Sequence, residues 1–355
     1  MFSVELLRAR EGDCIWIEYG RSAPVDRRII VVDGGPPGVH AVLRRRIKQA
    51  KRERAAEQLH IDLIVVTHID SDHIGGILNL LSRPERNVTV GDVWFNGVNQ
   101  LSNVLGTAQG DRLSTLLSTG AFAWNKRFEG NRIAVVDTAA ELPRIVLDGD
   151  MVITVLGPLE GRLWALARIW DSVAHAAEAA QPESGEKRED ILGEAWPPNY
   201  IDDESNLDEA VANATSISLL LEYGARACLL AADANAADLT KTVRRLLKQR
   251  HDHFLSIDLF KVPHHGSAAN VTSELLRSLN CRRYAISTSG AVHNHPNHQA
   301  ILRVIKEGGS SPHLMFNYRT EKTKLWDERR NELPHALRNY SVEYGCENAG
   351  LAVQL

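Results

Sequence analysis

The sequence predicts an α/β protein, an αββα sandwich in which two sheets pack face to face and helices cover their outer sides. Three observations predict it. Strand-like and helix-like runs alternate on both sides of a compositionally distinct stretch at 159–212, as expected when helices and sheets form separate layers. Some strands are near-continuous apolar runs, such as IIVV at 29–32 and LIVV at 63–66, the pattern of a strand buried on both faces. Residues able to bind a metal recur just beyond the ends of such runs, where loops on a rigid scaffold build sites.

In chain order, residues 2–7 and 14–19 read as strands joined through Glu11-Gly12-Asp13. RIIVVD at 28–33 is a strand stopped by Gly34-Gly35-Pro36-Pro37-Gly38. A basic helix is predicted over 39–58, a buried strand over 61–67, a helix from Gly75 onward and a strand over 88–95. The region 99–130 reads as mixed helix and loop, and 144–156 as a hairpin turning at Asp148-Gly149. An Ala-rich helix at 163–180 leads into PESGEKRED and PPNYIDDESNLDEA, so 159–212 reads as an acidic, partly mobile insertion in a single domain spanning 1–355. Strand pattern resumes over 214–232, followed by a helix at 236–250, a strand at 257–263, a helix at 271–279 and a strand at 283–288. A helix at 299–307 and short strands over 313–355 complete the chain.

The formal net charge of −4 argues against wholesale electrostatic capture of nucleic acid, though not against a local basic patch. The four cysteines are scattered without CxxC spacing, which argues against a zinc ribbon and against a disulfide scaffold. No signal-like leader and no membrane-length apolar stretch is visible, so a cytoplasmic protein without membrane partners is expected.

The strongest chemical signal is Thr67-His68-Ile69-Asp70-Ser71-Asp72-His73-Ile74-Gly75-Gly76. Four potential ligands, His68, Asp70, Asp72 and His73, fall within six residues directly after an apolar strand. Burying two imidazoles and two carboxylates together without a cation is costly, and these groups suit zinc, manganese or iron. Later segments carry compatible groups. LLAAD ends a strand at Asp233, a position that would also suit a helix cap. KVPHHGS presents His264, His265 and Ser267. VHNHPNH forms a histidine-rich loop containing His295.

THIDSDHIGG resembles the signature of the metallo-β-lactamase superfamily, in a variant where Asp70 stands for the usual second histidine. Together with VPHHGS and the late His-Pro, it is similar to the hydrolase domain of ComEC-type DNA-uptake proteins and their stand-alone relatives. ELLRAREGDCIWIEYG…IIVVDGG and the Asn213–Ile217 segment followed by LLLEYGARACLLAAD carry further resemblance, which covers about 1–100 and 211–300. It implies two divalent cations, zinc or manganese. His68 and Asp70 would hold one, Asp72 and His73 the other, with Asp233 bridging and His264 as the late ligand; the choice between His264 and His265 stays open. The mid-chain histidine of the superfamily has no counterpart, and Asn213 stands near its place.

The resemblance implies a hydrolase in which the cation pair lowers the pKa of a water toward about 7. Asp72 would orient that nucleophile, His265 or His295 would protonate the leaving oxygen, and Ser267 and Asn213 would contact substrate. A phosphodiester, with nucleic acid among the candidates, is the leading substrate; the basic runs at 44–54 and 244–250 would track its phosphates. A small lactone, thioester or amide is the second reading. A regulatory binding module with a weak metal centre is the third.

Overall fold

The computed structural model describes residues 1–101, 112–179, 195–201, 204–292 and 294–355, with 171–179 as backbone alone. Among them, six strands form a first sheet in the order Leu351–Gln354, Phe2–Leu6, Ile15–Gly20, Arg27–Val32, Leu63–Val65, Val93–Trp94. Eight form a second, in the order Ser341–Tyr344, His313–Phe316, Arg283–Ile286, Leu259–Lys261, Arg226–Leu230, Ser218–Tyr223, Val152–Gly157, Arg144–Val146.

Alternation along the strands assembles the layers. Ile15, Ile17, Tyr19, Ile30 and Val32 point between the sheets, where they meet Ile153, Val155, Leu219 and Leu229. Their neighbours Trp16, Ile29 and Val31 face outward and are covered by Leu43 and Ile47 of helix His40–Glu53 and by Ile77 and Leu80 of helix Ser71–Ser82. Helices Ala236–Arg250 and His298–Glu307 place Leu239, Val243, Ile301 and Val304 in the core cluster of the second sheet. The expected αββα layers are therefore present.

Several boundaries differ from the sequence reading. The basic helix ends at Glu53, because Ala55 adopts a left-handed φ of 47°. The run 88–95 is two strands in different sheets, Val88–Val90 beside Leu59–Ile61 and Val93–Trp94 beside Leu63–Val65. Gly91 marks the break, where an added Cβ would lie 2.6 Å from the Asp62 carbonyl oxygen. Helix Ala236–Arg250 keeps its predicted bounds, set by Asn235, whose side chain accepts the Ala237 and Asp238 amides.

Within 159–212, helix Glu160–Ala179 packs Leu163, Leu166 and Trp170 into the outer layer of the first sheet. Trp164 stacks under the Arg132 guanidinium and Trp196 packs edge-on against Trp326, so the tryptophans flanking this stretch make packing contacts. Residues 180–194, 202 and 203 of the stretch lie outside the described residues. The four cysteines are free, with Cys14, Cys228 and Cys281 buried. No described helix is long and apolar enough to cross a membrane.

Candidate metal centre

The two sheets meet at one end, where the Ile217 amide donates to the Thr67 carbonyl at 3.0 Å. Strands Leu63–Val65, Arg226–Leu230, Leu259–Lys261 and Arg283–Ile286 all deliver their C-terminal loops there. From the first sheet come His68, Asp70, Asp72 and His73. From the second come Asp233, His264 and His265.

Asp70 stands at the N-cap of helix Ser71–Ser82, yet its side chain makes no capping bond. Its Oδ2 instead lies 3.6 Å from His68 Nε2, at the partly exposed rim. Asp72 Oδ2 lies 3.7 Å from His73 Nε2 and 3.4 Å from His265 Nε2. Asp233 Oδ2 lies 3.3 Å from His73 Nε2, 3.6 Å from His264 Nε2 and 3.7 Å from His265 Nε2. Asp233 is not a helix cap, since Asn235 caps the following helix.

The Nε2 atoms of His68, His73 and His265 and the Oδ1 of Asp233 are buried without a hydrogen bond. Orphaned buried polar atoms are rare and call for an explanation. Here they converge. One ligand atom each from His68, His73 and Asp233 lies within 4.8 Å of the others, and the same holds for Asp72, His73 and His265. Imidazole nitrogens and carboxylate oxygens facing one point fit a divalent cation.

The opposite ring nitrogens are held in place. Asp33 accepts the Thr67 amide, the Thr67 hydroxyl and His73 Nδ1, each at 2.8 Å. His68 Nδ1 lies 3.0 Å from the Thr67 hydroxyl and 3.3 Å from that of Ser216. His265 Nδ1 donates to the Ser287 carbonyl at 2.8 Å. His264 Nδ1 faces Asn270 Oδ1 at 3.0 Å and Asp208 Oδ2 at 3.1 Å. Such partners fix tautomer and ring orientation at metal-binding histidines.

The backbone is unusual at the same places. Asp33, Ala232, His264 and His265 all have left-handed φ, at 59°, 50°, 45° and 54°. Strain of this kind gathers at functional sites because surrounding contacts must hold it.

Burial would lower the His73 pKa, but Asp233, Asp72 and Asp33 raise it well above the usual imidazole value. Burial would raise the Asp72 and Asp233 carboxyls, and the neighbouring imidazoles, His73 foremost, pull both below the usual range. His264 is raised to about 9; burial opposes the shift, and the Asp233 and Asp208 carboxylates outweigh it.

The remaining expected site residues sit one layer out. Asn213 is buried and donates to Asp208 Oδ2 at 2.8 Å. Ser267 accepts the Ala269 amide at 3.3 Å within the turn after His265. His295 is buried with its ring 5.2 Å from that of His264. His298, from the same loop, packs against Trp196 and Trp326 instead. His293 lies outside the described residues.

Residues not singled out in the sequence complete the surroundings. Asp33 ends a strand just as Asp233 does, a signal available in the sequence but overshadowed by the glycines that follow. Asp13 and Lys261 stand inside noticed motifs and form a buried ion pair. Asp208 comes from the acidic stretch, and nothing local marks it.

Residues 8–92 match the family model described as the metallo-beta-lactamase superfamily. Among solved structures, the chain is similar to the metallo-beta-lactamase fold protein YhfI from Bacillus subtilis, at 11% identity and TM-score 0.40 with 100% of each chain covered. It is also similar to CmlA, a diiron beta-hydroxylase from Streptomyces venezuelae, at 12% identity and TM-score 0.40, covering 99% of this chain and 54% of that one. The chain thus spans about half the length of CmlA. Compared with curated proteins, it matches none. The layer order and the matched segment together are the metallo-β-lactamase fold.

Proposed function

We propose, from this metallo-β-lactamase fold and its inward-facing ligand atoms, that the chain is a metal-dependent hydrolase acting on phosphodiesters. The observation that carries the reading is the convergence of three orphaned histidine Nε2 atoms with Asp72 and Asp233. Asp72, His73 and His265 would hold one cation. His68 and Asp233, with Asp70 at the rim, would hold the other. Zinc and manganese both suit this oxygen-rich set. When bound, the cations would supply an acidified water and positive charge for the oxygens that become more negative during attack.

The chain's own residues supply the rest. Asp33, Thr67, Ser216 and Ser287 keep His68, His73 and His265 turned inward. Asp208 and Asn270 fix His264, and His295 packs against it. This supports His265 as the ligand of the adjacent pair. His264 and His295 would then hold, at a ring nitrogen, the proton passed to the leaving oxygen.

The basic runs are only partly available to a phosphate track, since several of their cations are engaged within the chain. Arg46 and Arg54 turn inward to Glu18, and Arg44 pairs with Glu85. In the second run Arg244 pairs with Glu274 and Arg250 with Glu222, while Arg245 bonds the Val136 carbonyl. Arg45, Lys48, Arg52 and Lys248 remain exposed, and a nucleic-acid substrate would have to be tracked by these.

The test is elemental analysis of purified protein, followed by parallel assays on bis-p-nitrophenyl phosphate, plasmid DNA and a lactone panel. Turnover of the first, abolished by Asp72→Ala and His73→Ala, is the expected result. Turnover of lactones alone would overturn the phosphodiester reading, and absence of bound metal would overturn the metal centre itself.

A further inference from the structure

We infer that the buried Lys261–Asp13 ion pair is a positioning device that holds the two halves of the metal centre at their working separation. The inference rests on the metal-centre reading above. Lys261 is the last residue of strand Leu259–Lys261 in the second sheet, three positions before His264. Asp13 belongs to the loop joining the first two strands of the first sheet. Lys261 Nζ donates to Asp13 Oδ2, and the two residues are 0% and 1% exposed.

A buried pair of this kind costs desolvation on both sides and is weak evidence for stability. Replacing such a pair with well-packed apolar side chains is often neutral or stabilising, which leaves room for a role beyond stability. The surrounding contacts indicate that role. The Asp13 amide donates to the Asp72 carbonyl at 3.3 Å, and the Asp13 carbonyl accepts the Gly35 amide at 2.7 Å. Gly12 is pressed so closely to Asp72 that an added Cβ would lie 1.9 Å from its carbonyl oxygen. The Gly12–Asp13 turn is therefore fastened to the backbone carrying Asp72 and His73.

The same turn is fastened to the second sheet. The Ser287 hydroxyl donates to the Gly12 carbonyl at 3.2 Å, and the Ser287 carbonyl is what orients His265. Asp13 Oδ1 lies 3.6 Å from His265 Nδ1. Lys261 closes this bracket. Asp72 and His73 stand on one side, His265 on the other, and Lys261–Asp13 is the charged link between them.

The Asp13 carboxylate stands behind the histidines, with one oxygen within 4.8 Å of ligand atoms of His73 and Asp33 and Oδ1 3.6 Å from His265 Nδ1; the pair acts through His265, His73 and Asp72. Removing it should loosen the spacing and lower metal affinity by about 10–100-fold, the usual range for partners behind metal ligands.

The experiment compares wild type, Lys261→Met and the double variant Asp13→Asn/Lys261→Met. Zinc and manganese affinity is measured by competition with a chromophoric chelator, and folding of the metal-free proteins by circular dichroism and Tm. Lys261→Met strands a buried carboxylate and can fail to fold. The double variant carries no buried charge at either position and keeps the question answerable. Weakened metal binding in the folded double variant supports positioning. Wild-type affinity in that variant overturns it and leaves the pair a purely structural feature. A wild-type protein that binds neither metal sinks the metal-centre reading instead, so the two failures are distinguishable.

Discussion

Asp33 illustrates how one carboxylate can govern a site without facing it. Its two oxygens take the Thr67 amide, the Thr67 hydroxyl and His73 Nδ1. Asp33→Ala would free the His73 ring and leave the Thr67 amide without its partner. The expected result is a fall in metal affinity of about 10–100-fold, measured by chelator competition, with the chain still folded. His264 offers a second test at this scale, in protein stripped of metal. In the folded chain the Asp233 and Asp208 carboxylates raise its pKa from the usual 6.5 to about 9. A raised pKa means the folded state binds the proton more tightly, so this stabilisation is complete below pH 6.5 and fades as pH rises toward 9. The stability difference between wild type and His264→Gln, read from denaturant unfolding in EDTA, should shrink across that interval. A difference independent of pH would contradict the Asp208 and Asp233 pairing. The candidate ligands from His68 to His73 were legible because they cluster in sequence. Asp208 was not, because its value depends on a chain return of more than fifty residues to His264, which no local pattern encodes.

Helix Ser71–Ser82 carries Asp72 and His73 in its first turn and seats them through two glycines. A Cβ on Gly76 would lie 2.0 Å from the Gly34 carbonyl oxygen, and one on Gly75 would lie 2.4 Å from Pro37 Cδ. The Gly76 neighbour is backbone and cannot swing aside, so the helix itself must move. Gly76→Ala should therefore cost at least about 1–3 kcal/mol, as overpacking does, and weaken metal binding with it. Thermal unfolding and metal titration on the same sample check both. Unchanged values would mean that the close approach is dispensable. Elements with explicit end signals were readable, and helix Ala236–Arg250 with its Asn235 cap is the clearest case. The run 88–95 was misread as one strand because both halves have β character, and only the Gly91 contact with the neighbouring chain divides them between sheets. The acidic stretch was read from composition, which could not reveal that Leu163, Leu166 and Trp170 anchor part of it.

At the scale of the whole molecule, the two large sheets meet at one end, and that end gathers the candidate ligands. His68 and His73 follow strands of one sheet and Asp233 and His265 strands of the other, so a cation held by them would link the halves. Ligands that bind only the folded state stabilise it by mass action, about 2.7 kcal/mol at a free concentration one hundred times the Kd. Saturating zinc or manganese should raise Tm by several degrees, and EDTA should reverse the change. A Tm indifferent to both would argue that the two sheets do not share a cation.

Strand Leu351–Gln354 runs antiparallel to Phe2–Leu6, and the Leu355 amide donates to the Phe2 carbonyl at 2.9 Å. Phe2–Leu6 points toward the edge that carries the candidate ligands, so Met1 and Leu355 emerge side by side at the opposite pole. A tether, tag or fused partner attached at either terminus would trail from the back of the molecule. Immobilised that way on a bead or sensor chip, the protein would keep its candidate metal centre turned toward the solution.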